Sequence, residues 1–309
     1  MKAFQFTIGL AIFLALLTGC GQGQGTNGQE TVEPEQSGVE GTIVYESENG
    51  PVEIPAEPQR IVALTNAPNV ISLGGSVVGV DEWTAGSPHF QEALEGVEVV
   101  SYKNAEQILA LNPDLIIAGS HFENLEDLKA IAPTVAFTWG KLDYLEQQLE
   151  IGKLLHKEEE ARAWIQDFTK RADELGKQVK EKIGKDATVS VLEMYDKSIY
   201  VYGNNWARGT EVLYQAMGLA MPDNVKKDAL GPGYHEISLE TIPEYAGDYI
   251  VLSRKPSADN EFLQTETWKN VPAVKADRVI EIDMEAATYS DPMTLEYLMN
   301  IFEEGFLQR

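Results

Sequence analysis

The sequence predicts an α/β protein: two Rossmann-like lobes joined by a single long α-helix, with a ligand cleft between the lobes. Three observations carry this. Short apolar strands alternate with helices from about residue 40 onward. The stretch Lys157 to Ile183 keeps helical spacing, with no proline and only Gly176 as glycine. A pattern of glutamate, isoleucine and aspartate leading into an apolar strand occurs once on each side of that stretch.

The first lobe is expected over residues 39–156. Thr42–Tyr45 and Val52–Ile54 flank an Asn49-Gly50 turn and read as a hairpin. Arg60–Leu64 is a short apolar strand, followed by a helix carrying Val70 and Leu73 and by a strand at Val77–Val80. Leu115–Ala118 and Thr134–Phe137 are further strands.

The connecting helix is expected over 157–184. Ala161, Trp164, Ile165, Phe168, Ala172, Leu175 and Val179 form one stripe. Glu158, Glu159 and Glu160 stand where the helix dipole favours negative charge, and Gly184 supplies the stop. At 1.5 Å per residue the helix runs roughly 40 Å, longer than a crossover needs. A second lobe over 185–309 follows. Its expected strands are Thr188–Met194, Ser198–Tyr202, Tyr249–Leu252 and Arg278–Asp283; its expected helices are Thr210–Met217 and Asp291–Leu307.

The repeat joins Glu106-Gln-Ile108 and Asp114-Leu115-Ile116-Ile117 to Glu240-Thr-Ile242 and Asp248-Tyr249-Ile250-Val251. An internal duplication accounts for four identities at equal spacing, one copy in each half.

The chain opens with Lys2, an apolar run from Ile8 to Leu17, then Leu17-Thr18-Gly19-Cys20. Residues 1–19 read as a signal peptide, too short to span a bilayer comfortably. Cys20 is the only cysteine. The plain reading is a free thiol; the sharper one is a lipobox cysteine, acylated after cleavage. The mature chain then has no internal disulfide. Residues 20–38 are Gly- and Gln-rich and read as a lipidated flexible tether. The expected location is the outer face of the cytoplasmic membrane, through the anchor at Cys20. A net charge of −25 repels phosphate and argues against nucleic acid.

Pro58-Gln-Arg60-Ile61-Val62, Leu109 to Ile116 and Ala132-Pro133-Thr134-Val135 resemble the periplasmic-binding-protein family serving iron-siderophore and cobalamin transporters. The likeness spans about residues 40–309. Tyr200 to Gly218, Tyr245 to Ile250 and Asp291-Pro292-Met293-Thr294-Leu295 resemble more narrowly the ferric-hydroxamate-binding lipoproteins of Gram-positive bacteria.

The resemblance implies a monomeric carrier that captures a ferric siderophore and delivers it to an ABC permease dimer, with no cofactor of its own. A siderophore fills the iron shell with its own oxygens, so the protein supplies aromatic walls and a few donors rather than metal ligands. Tyr200, Trp206 and Arg208 are the expected ligand contacts, Arg208 through a planar fork of donors. Trp139 matches a family position that holds an aromatic facing the ligand, and Tyr289 lies in the loop before Asp291-Pro292, near the expected rim. Tyr102, Lys103, His121 and Phe122 lie on other loops open to the same role. The sequence departs from the relatives at Thr288, where they carry a tryptophan, and at Gly119, where they carry an aromatic. Glu106 and Glu240 read either as plain helix-start charges or, as the family implies, as one docking carboxylate per lobe for permease arginines.

Haem or cobalamin binding by the same fold, an enzyme and a free-metal carrier are the rivals. There is no Gly-x-Ser-x-Gly elbow, no phosphate-binding Gly-Lys-Ser/Thr loop and no cysteine in the folded part. His89, His121, His156 and His235 are scattered.

Overall fold

The computed structural model describes residues 41–195, 198–255, 257 and 261–308. The leader, Cys20 and the tether lie outside the described residues.

A hairpin of β1 (Thr42–Ser47) and β2 (Gly50–Pro55) comes first, in antiparallel register. Tyr45 and Ile54 turn inward from it and join the first core. A five-stranded sheet follows: β3 (Ile61–Ala63), β4 (Val77–Val80), β5 (Glu98–Val99), β6 (Leu115–Gly119) and β7 (Thr134–Phe137). Its order is β5-β4-β3-β6-β7, and every pairing is parallel. β3, β6 and β7 are buried along their whole length, as strands covered on both faces must be.

The helix Glu158–Ile183 stands between this sheet and the next. Its 26 residues make it about 39 Å long. Ala161, Phe168, Ala172, Leu175 and Val179 are buried, as the stripe requires; Trp164 and Ile165 are half-buried. Gly176 is there for a steric reason. A Cβ at that position would sit 2.1 Å from the Met217 carbonyl oxygen, so the helix presses directly on backbone.

The second sheet contains β8 (Val189–Tyr195), β9 (Ser198–Tyr202), β10 (Tyr234–Ile237), β11 (Tyr249–Arg254) and β12 (Val279–Asp283). Its order is β10-β9-β8-β11-β12. β8, β11 and β12 are parallel, whereas β9 is antiparallel to both neighbours. The C-terminal helix Pro292–Leu307 starts on an Asp291 cap whose side chain accepts from the Met293 and Thr294 N–H groups. The segment expected as a helix over Thr210–Met217 is wound more widely. The Met217 N–H donates to Val212 O, five residues back, and Glu211–Ala216 forms a π-helix.

The repeat has a physical basis. β3 and β8 each occupy the centre of their sheet, and β6 and β11 lie beside them. Asp114, leading into β6, accepts from the Gln59 and Arg60 N–H groups at 2.7 and 2.9 Å, just before β3. Asp248, leading into β11, accepts from the Thr188 N–H and hydroxyl at 2.8 and 3.0 Å, just before β8. Each aspartate caps the open end of the central strand. These bonds, the Thr188 N–H first, hold the Asp248 carboxyl below its usual range. Ile108 and Ile242, equivalent in the repeat, are both fully buried.

Candidate functional site

In an open α/β sheet, ligands favour the crevice beyond the carboxyl ends of the strands, where the strand order reverses. In the first lobe, Trp83 follows β4, Tyr102 and Lys103 follow β5, His121 and Phe122 follow β6, and Trp139 follows β7. All these segments leave the same edge of a parallel sheet, Trp83 on the short helix Glu82–Gly86. In the second, the chain order reverses between β8 and β11, where Glu193 and Ser253 are paired in register.

Arg208 is tied to that point. Its Nε and Nη2 donate to the two carboxylate oxygens of Glu193 at 2.9 and 3.0 Å. The Tyr202 hydroxyl adds a bond of 2.7 Å and the Ser253 hydroxyl one of 2.6 Å. The guanidinium also lies 5.1 Å over the Tyr202 ring. Burial opposes its charge, but the hydrogen bonds and charge of Glu193 outweigh that and hold its pKa above the ordinary arginine value. The fork expected to be open for ligand therefore has two of its arms engaged by the protein. Nη1 has only a long 3.5 Å contact, to the Trp206 carbonyl.

The loop that carries Arg208 is held in an unfavourable backbone form. Ala207 and Arg208 have φ of 56° and 55°, in the left-handed region. Such residues cost on the order of 1–3 kcal/mol each and persist only where the surroundings hold them. Here Arg208 N–H donates to Ala287 O at 2.8 Å, Trp206 N–H to the Thr210 hydroxyl at 3.0 Å, and Ala207 N–H to Glu211 at 3.1 Å. Burial raises the Glu211 carboxyl pKa, with the hydrogen bonds it accepts working against that rise.

Aromatic rings complete the site. Trp206 meets Tyr234 at 5.1 Å, and Tyr234 meets Tyr200 at 5.8 Å. Gly233, at φ 92°, makes room: a Cβ there would lie 2.3 Å from the Trp206 ring. Trp206 then reaches across to Trp139 of the first lobe, edge to face, with centroids 5.1 Å apart. Trp139 is nevertheless 74% exposed. Tyr102 and Phe122 stack at 4.2 Å, with Lys103 5.4 Å above the Tyr102 ring. The exposed His121 fills the space over Gly119, where a Cβ would fall 2.5 Å from its Cε1.

Tyr289 joins the lobes in another way. It packs 5.4 Å from Phe90 and meets the Thr84 side chain; burial first, then the Asp81 charge, pushes its hydroxyl up to about 12. Nearby, His89 stacks on Tyr297 at 4.6 Å and contacts the Met293 carbonyl at 3.1 Å. The four histidines lie on four separate elements, and no three metal-ligating side chains gather among the described residues. Glu106 and Glu240 are both exposed and both second in their short helices.

Sequence reasoning missed Glu193, Tyr202, Ser253, Tyr234 and Trp83. Glu193 had a signal: a lone carboxylate in a buried apolar strand requires a partner. Trp83, 82% exposed on the short helix Glu82–Gly86 after β4, had none beyond being a tryptophan.

Two lobes meeting through aromatic loops, with a buried charged pair at the reversal point, define a cleft-type solute binder. Residues 61–286 match the periplasmic binding protein family, and the chain belongs to it. That is a family of binding proteins, not enzymes. Among its relatives, the iron(3+)-hydroxamate-binding protein FhuD of Bacillus subtilis is 33% identical, over 95% of this chain and 94% of its own length. The iron(3+)-hydroxamate-binding protein YxeB of the same organism is 30% identical over 100% and 98%. The structure of FhuD2 from Staphylococcus aureus with bound ferrioxamine B is similar with a TM-score of 0.77 at 35% identity, covering 81% of this chain and 99% of that one.

Proposed function

We propose that this chain captures a ferric siderophore of the hydroxamate type in the cleft and delivers it to an ABC permease for iron uptake. The observation that carries it is the cluster of Trp139, Trp206, Tyr200 and Tyr234 beside Arg208. A ferric hydroxamate presents oxygen acceptors around a core with an apolar periphery; aromatic walls and one fixed donor group match it. The likeness to proteins named for iron-hydroxamate binding supports the same ligand class. Iron travels as cargo inside its chelator, and no resident cofactor is required. The assigned contacts are Tyr200, Trp206, Arg208 and Trp139, with Tyr289, Tyr102, Lys103, His121 and Phe122 around them.

Glu106 and Glu240 are assigned to permease docking. Each is an exposed carboxylate on the first turn of a short helix, at the same place in the two repeats. Residues 1–19 are assigned as the signal peptide and 20–38 as the tether, lipidated at Cys20, holding a monomer at the outer membrane face. The lobes are assigned to 39–156 and 185–309, with the connecting segment 157–184 between them.

Titration of the full chain with ferrioxamine B should quench tryptophan fluorescence, and Arg208→Ala should weaken the effect. Tight haem binding with no ferric hydroxamate bound rejects the ligand assignment. For docking, Glu106→Ala/Glu240→Ala should keep the titration unchanged and abolish uptake; intact uptake rejects that role.

A further inference from the structure

The charge of Arg208 is already met. Glu193 is 2% exposed, and each of its oxygens accepts two donors: Nη2 of Arg208 and the Tyr202 hydroxyl on one, Nε of Arg208 and the Ser253 hydroxyl on the other. Four donors meet the carboxylate and two of them come from the guanidinium, so the two groups form an ion pair whose net charge is zero. The lysines on the first-lobe loops, Lys103 and Lys141, add little field. Lys141 pairs with Glu48 at 3.1 Å, and Lys103 is exposed above Tyr102. The whole chain, at −25, repels anions.

Ligand chemistry makes this a filter. A hydroxamate loses one proton per chelate, so three of them cancel the charge of iron(III) and leave a neutral core. A catecholate loses two, and its tris complex keeps a net charge of minus three. Moving a trianion out of water demands compensating positive charge, which a neutral pair does not give. A neutral core needs only oriented N–H groups.

We propose that Glu193 is a specificity-determining positioning residue: it fixes the guanidinium of Arg208 and cancels its charge, so the cleft admits neutral ferric tris-hydroxamate cores and rejects trianionic tris-catecholate cores. This rests on the functional reading above and goes one step further, to the group that sets selectivity.

The test is competition between ferrioxamine B and ferric enterobactin, a tris-catecholate, on the full chain. Glu193→Gln keeps the shape and uncovers the Arg208 charge. The affinity ratio should move toward the catecholate by at least about tenfold. Ser253→Ala, which loosens the pair without changing charge, should lower both affinities and leave the ratio within about twofold. A folded Glu193→Gln chain with an unchanged ratio overturns the proposal, as does Ser253→Ala shifting the ratio equally. Should Glu193→Gln not fold, the wild-type chain decides. Added salt should leave catecholate competition absent, unchanged or strengthened, because only net repulsion is screened. Weakening by salt would reveal an uncovered cation and overturn the proposal. If the wild-type chain binds no ferric siderophore, the functional reading fails and this inference with it; if it binds ferrioxamine B and the ratio does not move, only this inference fails.

Discussion

The two sheets share a frame and differ in what they hold. Both place their first strand at the centre, and both cap its open end with an aspartate from the neighbouring strand's start. The first sheet is wholly parallel, and rings stand on the loops that leave it, led by the exposed Trp139. The second reverses β9 and so brings Tyr202 beside Glu193, with Arg208 folded back over both. A duplicated frame is thus compatible with unequal division of labour. One lobe carries exposed rings, and the other a buried ion pair.

That contrast can be broken most directly at Arg208. Arg208→Ala leaves Glu193 buried without its cation, a change that typically costs about 3–5 kcal/mol of stability. The melting temperature should fall sharply and ferrioxamine B affinity by roughly a hundredfold. Trp139→Ala in the other lobe should cost about tenfold in affinity and leave melting nearly unchanged. Equal losses of stability in the two variants would end the claim that the lobes differ.

A smaller effect tests the shared frame. Asp114→Ala and Asp248→Ala should each cost about 1 kcal/mol, by chemical denaturation, because each removes a like pair of bonds to the central strand's start. A large cost at one and none at the other would show that the repeat is one of sequence only.

The contrast was only partly visible in sequence. The connecting helix was legible because its apolar residues recur at 3.6-residue spacing through Val179 and its only glycine does not stop it. The repeat was legible because Asp114 and Asp248 keep their distance from Ile108 and Ile242. β5 was hidden by its two-residue length, and β10 because Tyr-His-Glu-Ile lacks apolar alternation. The Trp206–Arg208 loop stood out, yet the direction of the guanidinium did not. Its partner Glu193 lies 15 residues away, and Ser253 a further 60 from Glu193, so only the β8–β11 register joins them. The wide turns at Glu211–Ala216 have the composition of an ordinary helix.

Acid titration should sharpen the account of the strained loop. Burial raises the Glu211 pKa in the folded chain, so the folded form binds the proton more readily than the unfolded form. Its contribution is then greatest below the unfolded value and is lost as pH rises toward the folded one. Stability should rise as pH is lowered toward the ordinary carboxylate range, and Glu211→Gln should flatten part of that slope; buried Asp291, shifted upward for the same reason, supplies another part. Below about pH 4 the sign reverses at Asp248, whose carboxyl is held low and whose bonds are lost on protonation. The smallest effect is Ala207→Gly. It removes the left-handed penalty at φ 56° while the unfolded chain gains freedom, so stability should change by less than about 1 kcal/mol in the melting curve.

The contact between Trp139 and Trp206 has an optical consequence. Two indoles 5.1 Å apart and 83° from parallel are close enough for their electronic transitions to couple, and their fixed twist makes the coupled pair chiral. The chain therefore carries a built-in circular-dichroism reporter in the far ultraviolet, with half of it on each lobe. A guest that parts the two rings extinguishes the signal without any label, even when it has no colour of its own.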